Sequence, residues 1–407
     1  MSTPKARANG EGSLFTYRNG YAAYVWVTTP LGARERKWIY GQDRDDLHGR
    51  WIDLQKQAKS GPVTTKAPKL ADYLTYWLQE IVAPNLAPLT CATYETLTRL
   101  YLVPGLGTKR LDKLTVRDVQ TWLNKVRTTC QCCAQGKDAR RPEKTRRCCA
   151  VGKCCAAVPS LRTVSDLRTV LRSALSSAAR EELISKNVVT MTQLPTRRPR
   201  KRKPWTSDEA RTFLESVRRA DNALYAAYVL ILVLGLRKGE VLGLSWPDID
   251  LDTAELTIAR QLQRVRGQLL HRETKTHASD ATLPLPSICL TALRQRQATQ
   301  HRAGAVAGAA WNSSDLVFTT RYGDPIEPRN FNRYFAVRCT AAGLRPITVH
   351  DARRTCATLL VDLDVHPRIV MQILRHAQFD VTMEIYASAS SAATREALKR
   401  LGASLDG

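Results

Sequence analysis

Acidic side chains are scarce in this chain, and long apolar runs are scarcer. Only 37 Asp and Glu stand against 62 Lys and Arg among 407 residues, a formal excess of +25. An imbalance of that size, spread over several segments, favours a polyanionic partner, because each neutralised phosphate releases condensed counterions. A solvated basic surface is the alternative that charge alone leaves open. The longest apolar stretch, residues 223–236, is too short to span a bilayer and reads as a buried helix. Residues 1–12 are polar and Gly-rich, without the apolar stretch of a signal peptide. Both absences argue against a membrane or exported protein, and the expectation is a soluble cytoplasmic one. In such a chain eleven cysteines point to reduced thiols or a metal.

The length predicts two to four domains. Residues 13–40 read as three short strands with turns at Arg18-Asn19-Gly20 and Pro30-Leu31-Gly32, and Asp43 can cap a helix to about residue 59. Rich in Arg, Lys, Tyr and Trp, this segment suits a DNA-reading sheet or a small structural appendage. From residue 67 to 189 the pattern turns helical. Leu70, Tyr73, Leu74, Trp77, Leu78 and Ile81 recur at helical spacing, and further helices are predicted over 90–101, 116–126 and 160–183. An insert at residues 129–157 interrupts this bundle. A linker follows in which Arg197, Arg198, Arg200, Lys201, Arg202 and Lys203 flank Pro199. Like-charge repulsion keeps it extended, along a phosphate backbone or as a solvated hinge. The remainder is mostly helical, with strands near 256–262 and 269–285 and helices over 286–302, 329–343, 348–364, 366–375, 378–387 and 391–402. The expected boundaries are 1–65, 66–190, a linker at 191–204, and 205–407.

Four pieces of the last segment carry candidate chemistry. In Leu234-Gly235-Leu236-Arg237-Lys238-Gly239-Glu240 an Arg leaves a buried run, and Glu240 three residues on supports it from the same helix face, as an ion pair of structural or functional value. In His350-Asp351-Ala352-Arg353 the spacing lets an imidazole and a guanidinium approach one anion. Leu374-Arg375-His376 is followed ten residues after the His by Tyr386, whose phenol attacks phosphorus only in a strongly cationic pocket; an apolar helix more often carries a Tyr as core. Glu273 to Thr276 and Thr282 to Pro286 suggest a β-hairpin, with Lys275 near its turn as a general acid or an ordinary exposed amine.

Singly these are weak signals, but Arg237, Lys275, His350, Arg353, His376 and Tyr386 share one chain order that resembles the tyrosine recombinase (phage integrase) family. The matching words are L-G-L-R-K-G-E, T-K-T-x-x-S-x-x-x-x-P-L-P, H-D-A-R-R-T, and L-R-H followed by I-Y. They cover about residues 205–390 strongly, and the bundle and N-terminal sheet more loosely. The resemblance implies a mostly α fold with small β elements in three domains: an arm-type DNA-binding sheet plus helix, a core-binding helical bundle, and a mainly helical catalytic domain with a β-hairpin. It implies Tyr386 as nucleophile forming a 3′-phosphotyrosyl link, Arg237 and Arg353 on the nonbridging oxygens, and His350 assisting proton transfer. His376 would donate to the phosphate, Lys275 would protonate the leaving oxygen, and Glu240 would support the arginines. No cofactor serves that chemistry. The implied partners are double-stranded DNA attachment sites and a homotetramer on them, with a host DNA-bending protein and an excision factor as candidate accessories, in a nucleoid-associated setting. Two departures stand out: Arg375 where the family usually has Gly, and Asp280 where a hairpin Arg is common.

The insert is unrelated to this chemistry. Cys130, Cys132, Cys133, Cys148, Cys149, Cys154 and Cys155 fall among Arg and Lys. The spacings C-x₂-C and C-x₄-C make Cys130, Cys133, Cys149 and Cys154 a candidate structural zinc site. Disulfides or free thiols in a flexible loop are the alternatives.

Overall fold

The computed structural model of the chain describes residues 13–28, 32–61, 63, 67–196, 203–273, 281–375 and 383. It divides into two compact units, residues 1–198 and 199–407. The fold class is the expected one, mostly helical with small sheets.

The first unit opens with an antiparallel meander, β1 (Ser13–Tyr17), β2 (Gly20–Thr28) and β3 (Arg34–Gly41). Tyr17 pairs with Gly20, so Arg18 and Asn19 make a two-residue turn, and Arg18 takes the positive φ of +53° that tight hairpins demand. Helix α1 (Arg44–Ser60) starts where Asp43 accepts the amides of Asp45 and Asp46 at 2.9 and 2.8 Å. Val25, Val27, Leu54 and Val63 form the small core between sheet and helix.

The bundle follows. Helix α2 (Leu70–Tyr76) runs through a π-helical stretch, Trp77–Val82, into α3 (Ala83–Asn85). Helix α4 (Pro88–Leu97) likewise passes through π-helical Thr98–Leu102 into α5 (Val103–Leu106). Each π stretch ends two residues before a proline, Pro84 or Pro104, whose ring clashes with the carbonyl four residues back and widens the helix there. Helix α6 (Val116–Thr128) begins at a Thr115–Asp118 capping box, and α8 (Leu161–Arg180) begins at Ser160. The predicted stripe of Leu70, Tyr73, Leu74 and Trp77 is buried against Leu123, Leu167, Leu171 and Leu175. Between α6 and α8 stands the insert, with the single-turn helix α7 (Gln131–Ala134) near its start.

The second unit is anchored by Trp205. Its amide donates to Thr355 Oγ1 at 3.1 Å, and Arg345 pairs with Glu209 at 2.8 Å while holding the carbonyls of Lys203 and Pro204. Helix α9 (Ser207–Arg219) starts at a Thr206–Glu209 capping box, as its sequence predicts. Helix α10 (Tyr225–Val233), apolar on every side, forms the centre, and α11 (Lys238–Gly243), α12 (Ser287–Ala307), α13 (Pro328–Ala341), α14 (Val349–Asp362) and α15 (Pro367–Leu374) complete the helical set. Rings of Trp205, Phe213, Tyr228, Phe331 and Phe335 pack edge-on and tilted, with Phe213 and Phe335 centroids 5.2 Å apart.

The β region departs from expectation. Strand β5 (Glu255–Ile258) pairs with β4 (Ile249–Asp250) on one side and β8 (Ala281–Pro284) on the other, whereas β6 (Arg260–Val265) pairs with β7 (Gln268–Glu273). Thr282 to Pro284 therefore faces β5, not the strand ending at Glu273. The cause is the turn at Arg266-Gly267, where both residues take positive φ, +46° and +85°, folding residues 260–273 back on themselves. Leu256, Ile258 and Leu283 meanwhile face the core, which fixes the β5–β8 register. Lys275 and Asp280, lying between β7 and β8, and the helices predicted over 378–387 and 391–402, are outside the described residues.

Phe213 is fully buried at the centre of the aromatic cluster. Phe213→Ala is expected to lower unfolding free energy by about 3–5 kcal/mol, read from urea denaturation of the full chain.

Candidate active site and DNA-facing surfaces

The pocket is assembled where α10 stops. Gly235 takes φ +61°, and a Cβ there would stand 2.4 Å from Leu374 Cδ2, so only glycine allows this turn. The chain then extends through Arg237, which is not inside a helix as expected but caps α11. Its amide donates to Glu240 Oε2 at 2.8 Å and its guanidinium to Glu240 Oε1 at 2.6 Å. The ion pair seen in the sequence is real, across a helix N-terminus where an acidic side chain is favoured.

A second segment arrives on α14, which begins at a Thr348–Asp351 capping box. His350 is exposed in its first turn, while Arg353 is buried. Arg353 donates from Nη1 to the Gly235 carbonyl and from Nη2 to that of Leu374. Arg237 Nη2 donates to the carbonyl of Arg375 at 3.1 Å. Carbonyls that α15 leaves without partners at its C-terminus are thus taken up by the two arginines singled out from sequence.

The residue that sequence reasoning set aside is Arg375. It sits in the left-handed conformation, φ +52°, ψ +50°, which explains why glycine is the easier residue at this helix end. Here the side chain is used: it is buried, and Nη2 donates to Glu240 Oε2 at 2.6 Å. Glu240, itself 4% exposed, therefore bridges two guanidiniums. No spacing rule would have found Arg375; only its misfit with the family word marked it. Lys238 was also missed. It lines the same pocket, and burial pushes its amine below the ordinary value.

Arg237, Lys238, His350 and Arg353 together line a cavity of about 440 Å³, walled by Leu236, Phe335 and Ile347. Burial pushes the Arg353 guanidinium down to about 9, Arg237 and Arg375 adding to the effect and Glu240 opposing it. At neutral pH it stays a cation. Two of the five N–H groups on each of Arg237 and Arg353 are spent on the bonds above, leaving donors for an anion in the cavity. The structure brings Arg237, His350, Arg353 and Glu240 together; Lys275, His376 and Tyr386 lie outside the described residues, as do Arg197, Arg198, Arg200, Lys201 and Arg202 of the linker.

The first unit offers two further surfaces. One face of the meander carries Phe15, Tyr17, Tyr24, Trp38 and Tyr40, in ring contact at 5.0–6.4 Å. Arg36 lies 4.6 Å from the Trp26 ring centre and 5.1 Å from that of Tyr24, and Arg34 5.2 Å from Trp26. Phe15, Tyr17, Trp38 and Tyr40 are exposed although large and apolar, a composition that suits nucleic acid. The other surface is the insert. The Sγ atoms of Cys130, Cys133, Cys149 and Cys154 all lie within 4.8 Å of one another, so the four thiols chosen by spacing converge and can hold a metal ion. Asp138, fully buried, accepts the amides of Arg147, Cys148 and Ala150 at 3.0–3.3 Å and pairs with Arg141, shaping the loop that delivers Cys148 and Cys149.

Glu240 supplies a pH test. Burial works against its ionisation, but Arg375 and Arg237 outweigh it and hold the carboxyl below its usual value of 4.5. A depressed pKa contributes stability that is full above 4.5 and is lost as pH falls below it toward the folded value. Urea midpoints measured from pH 6 down are expected to show this acid-side loss in the wild type, and Glu240→Gln is expected to be less stable at pH 6 and to flatten the slope.

The chain matches the Phage integrase family over residues 204–392 and the Phage integrase, N-terminal SAM-like domain over residues 69–127. It is 23% identical to an integrase of Saccharopolyspora erythraea over 90% of both chains, and 25% identical to a XerC-like tyrosine recombinase of Caldanaerobacter subterraneus over 89% of this chain and 92% of that one. The solved structure of the Tn1549 transposon integrase in complex with transposon right-end DNA is similar in fold, with a TM-score of 0.62 and 19% identity over 82% of this chain and 99% of that chain. Two family models over separate stretches, with an arginine pocket built from words in the longer of them, establish that the chain belongs to the phage integrase family of tyrosine-type site-specific recombinases.

Proposed function

We propose that this recombinase is the integrase of a phage or other mobile element, cutting and rejoining double-stranded DNA at attachment sites through Tyr386. The observation that carries the reading is the single cavity lined by Arg237, Arg353 and His350, two guanidiniums and an imidazole from distant segments. A scissile phosphate suits that cavity in charge and in donor geometry.

In this reading the Tyr386 oxygen attacks phosphorus, its proton passing to His350. The bond from phosphorus to the 5′-oxygen breaks, Lys275 gives that oxygen a proton, and a 3′-phosphotyrosyl link remains. Arg237 and Arg353 stabilise the charge that develops on the nonbridging oxygens, with His376 as a further donor. The phosphoester energy is retained in the link, and a second DNA end displaces the tyrosine. Residues 205–407 are the catalytic domain, 66–190 the core-binding domain, and 1–65 an arm-type domain that meets DNA through the Trp26, Trp38 and Arg36 face. The basic linker from Arg197 to Lys203 lies along the backbone between them. Two DNA sites require a homotetramer, with a host bending protein and an excision factor as accessories. Structural zinc on Cys130, Cys133, Cys149 and Cys154 orders the basic insert against DNA.

A nicked attachment-site duplex, which traps the cleaved state, tests the chemistry. The wild type is expected to give a covalent protein–DNA adduct that is absent in Tyr386→Phe and reduced about 10²–10³-fold in Arg237→Ala or Arg353→Ala. An adduct that persists in Tyr386→Phe would overturn the assignment. Arg36→Ala is expected to weaken binding to DNA outside the core site while leaving cleavage of the nicked core intact, measured by gel shift on both DNAs.

A further inference from the structure

The insert has no apolar core. Among residues 129–157 the buried ones are Cys130, Gln131, Cys132 and Asp138, while Ala134, Ala139, Ala150, Val151, Ala156 and Ala157 are all exposed. Its ends meet where the Gln131 amide donates to the Ala157 carbonyl at 2.9 Å, closing a small lobe. A lobe of this size cannot be held by burial and needs covalent or metal cross-links. Seven cysteines converge inside it, three more than one tetrahedral site uses.

Their spacing is that of metal thiolates. Neighbouring Sγ atoms stand 3.7 Å apart for Cys133–Cys154 and 3.8 Å apart for Cys132–Cys148, Cys130–Cys149, Cys130–Cys155 and Cys149–Cys155. A tetrahedron with zinc–sulfur bonds of about 2.3 Å has edges of about 3.8 Å; a disulfide would bring two sulfurs to about 2.05 Å. Cys130, Cys149 and Cys155 moreover form a triangle, and pairwise bonds cannot make a triangle, whereas sulfurs packed around metals do. Two tetrads emerge, each with every sulfur within 4.8 Å of the others: Cys130, Cys133, Cys149 and Cys154, and Cys132, Cys148, Cys149 and Cys155. They share Cys149 alone, and two tetrahedra joined at one corner use seven ligands, the number present.

We propose that the insert binds two zinc ions, one in each tetrad, with the Cys149 thiolate bridging them. The idea rests on the single-zinc reading above and adds the second ion. The seven thiols release their protons to solvent as the metals bind. Seven thiolates and two divalent ions leave an excess of three negative charges, and the lobe carries Lys137, Arg140, Arg141, Lys144, Arg146, Arg147 and Lys153 against Asp138 and Glu143 to offset it. All of those cations but Arg141 are exposed, so the lobe stays basic outside around an anionic metal core.

Metal counting on the full chain by native mass spectrometry after purification with zinc tests this. Two zinc ions per chain are expected, falling to one in both Cys132→Ser and Cys133→Ser, with Cys149→Ser losing more than either. In the cobalt-substituted protein the bridge would couple the two spins, so the paramagnetic resonance signal at two equivalents should fall below that at one. One zinc per chain, lost in Cys133→Ser and kept in Cys132→Ser, sinks the second site and leaves the single-zinc reading standing. No zinc in the wild type sinks both.

Discussion

The second unit depends on one carboxylate. Glu240 is buried, and each of its oxygens accepts a guanidinium, Arg237 on one side and Arg375 on the other. Without it, three arginines, two of them buried, would crowd together with no carboxylate between them. Arg353, which also feels Arg237 and Arg375, has no carboxylate partner of its own among the described residues and is held by two backbone carbonyls. Three guanidiniums around one carboxylate leave the pocket short of negative charge. That shortage favours an incoming phosphate, because burial strengthens attraction as much as repulsion.

The same contacts tie the site to the end of α15, the helix that precedes the proposed nucleophile in the chain. Arg353 bonds the carbonyls of Gly235 and Leu374, and Arg237 that of Arg375. The end of α15 is therefore fastened to the α10–α11 turn by the side chains proposed to hold phosphate, immediately before His376. An anion entering the cavity would meet the remaining donors of the same two guanidiniums that fix this helix end.

Much of this was legible in the sequence because it is local. The Asp43 cap, the helix start at Thr206 and the helical stripe from Leu70 to Trp77 are written in residues a few positions apart, and all form as read. The Arg237–Glu240 pair was found for the same reason. What escaped was non-local or conformational. The β5–β8 pairing depends on a turn at Arg266 that its side chain does not advertise. The role of Arg375 depends on a left-handed helix end bringing it against Glu240. The family word offered only the knowledge that glycine is usual there, and that hinted at conformation and said nothing of charge.

The cysteine lobe shows the converse. Spacing alone picked out one tetrad and left Cys132, Cys148 and Cys155 unassigned, because adjacent pairs such as Cys148-Cys149 and Cys154-Cys155 look redundant along the chain. In space adjacency is the economical arrangement. Neighbouring residues point in different directions, so one short loop, shaped by the amides on Asp138, can supply two metal sites at once. A lobe that buries none of its aliphatic side chains needs bonds of this kind to be ordered, and a cluster linked through one thiolate would join both arms of the insert at a single point. Ordered in this way, the insert would hold its exposed Arg and Lys side chains in fixed positions, which the same residues in an unfolded loop could not do.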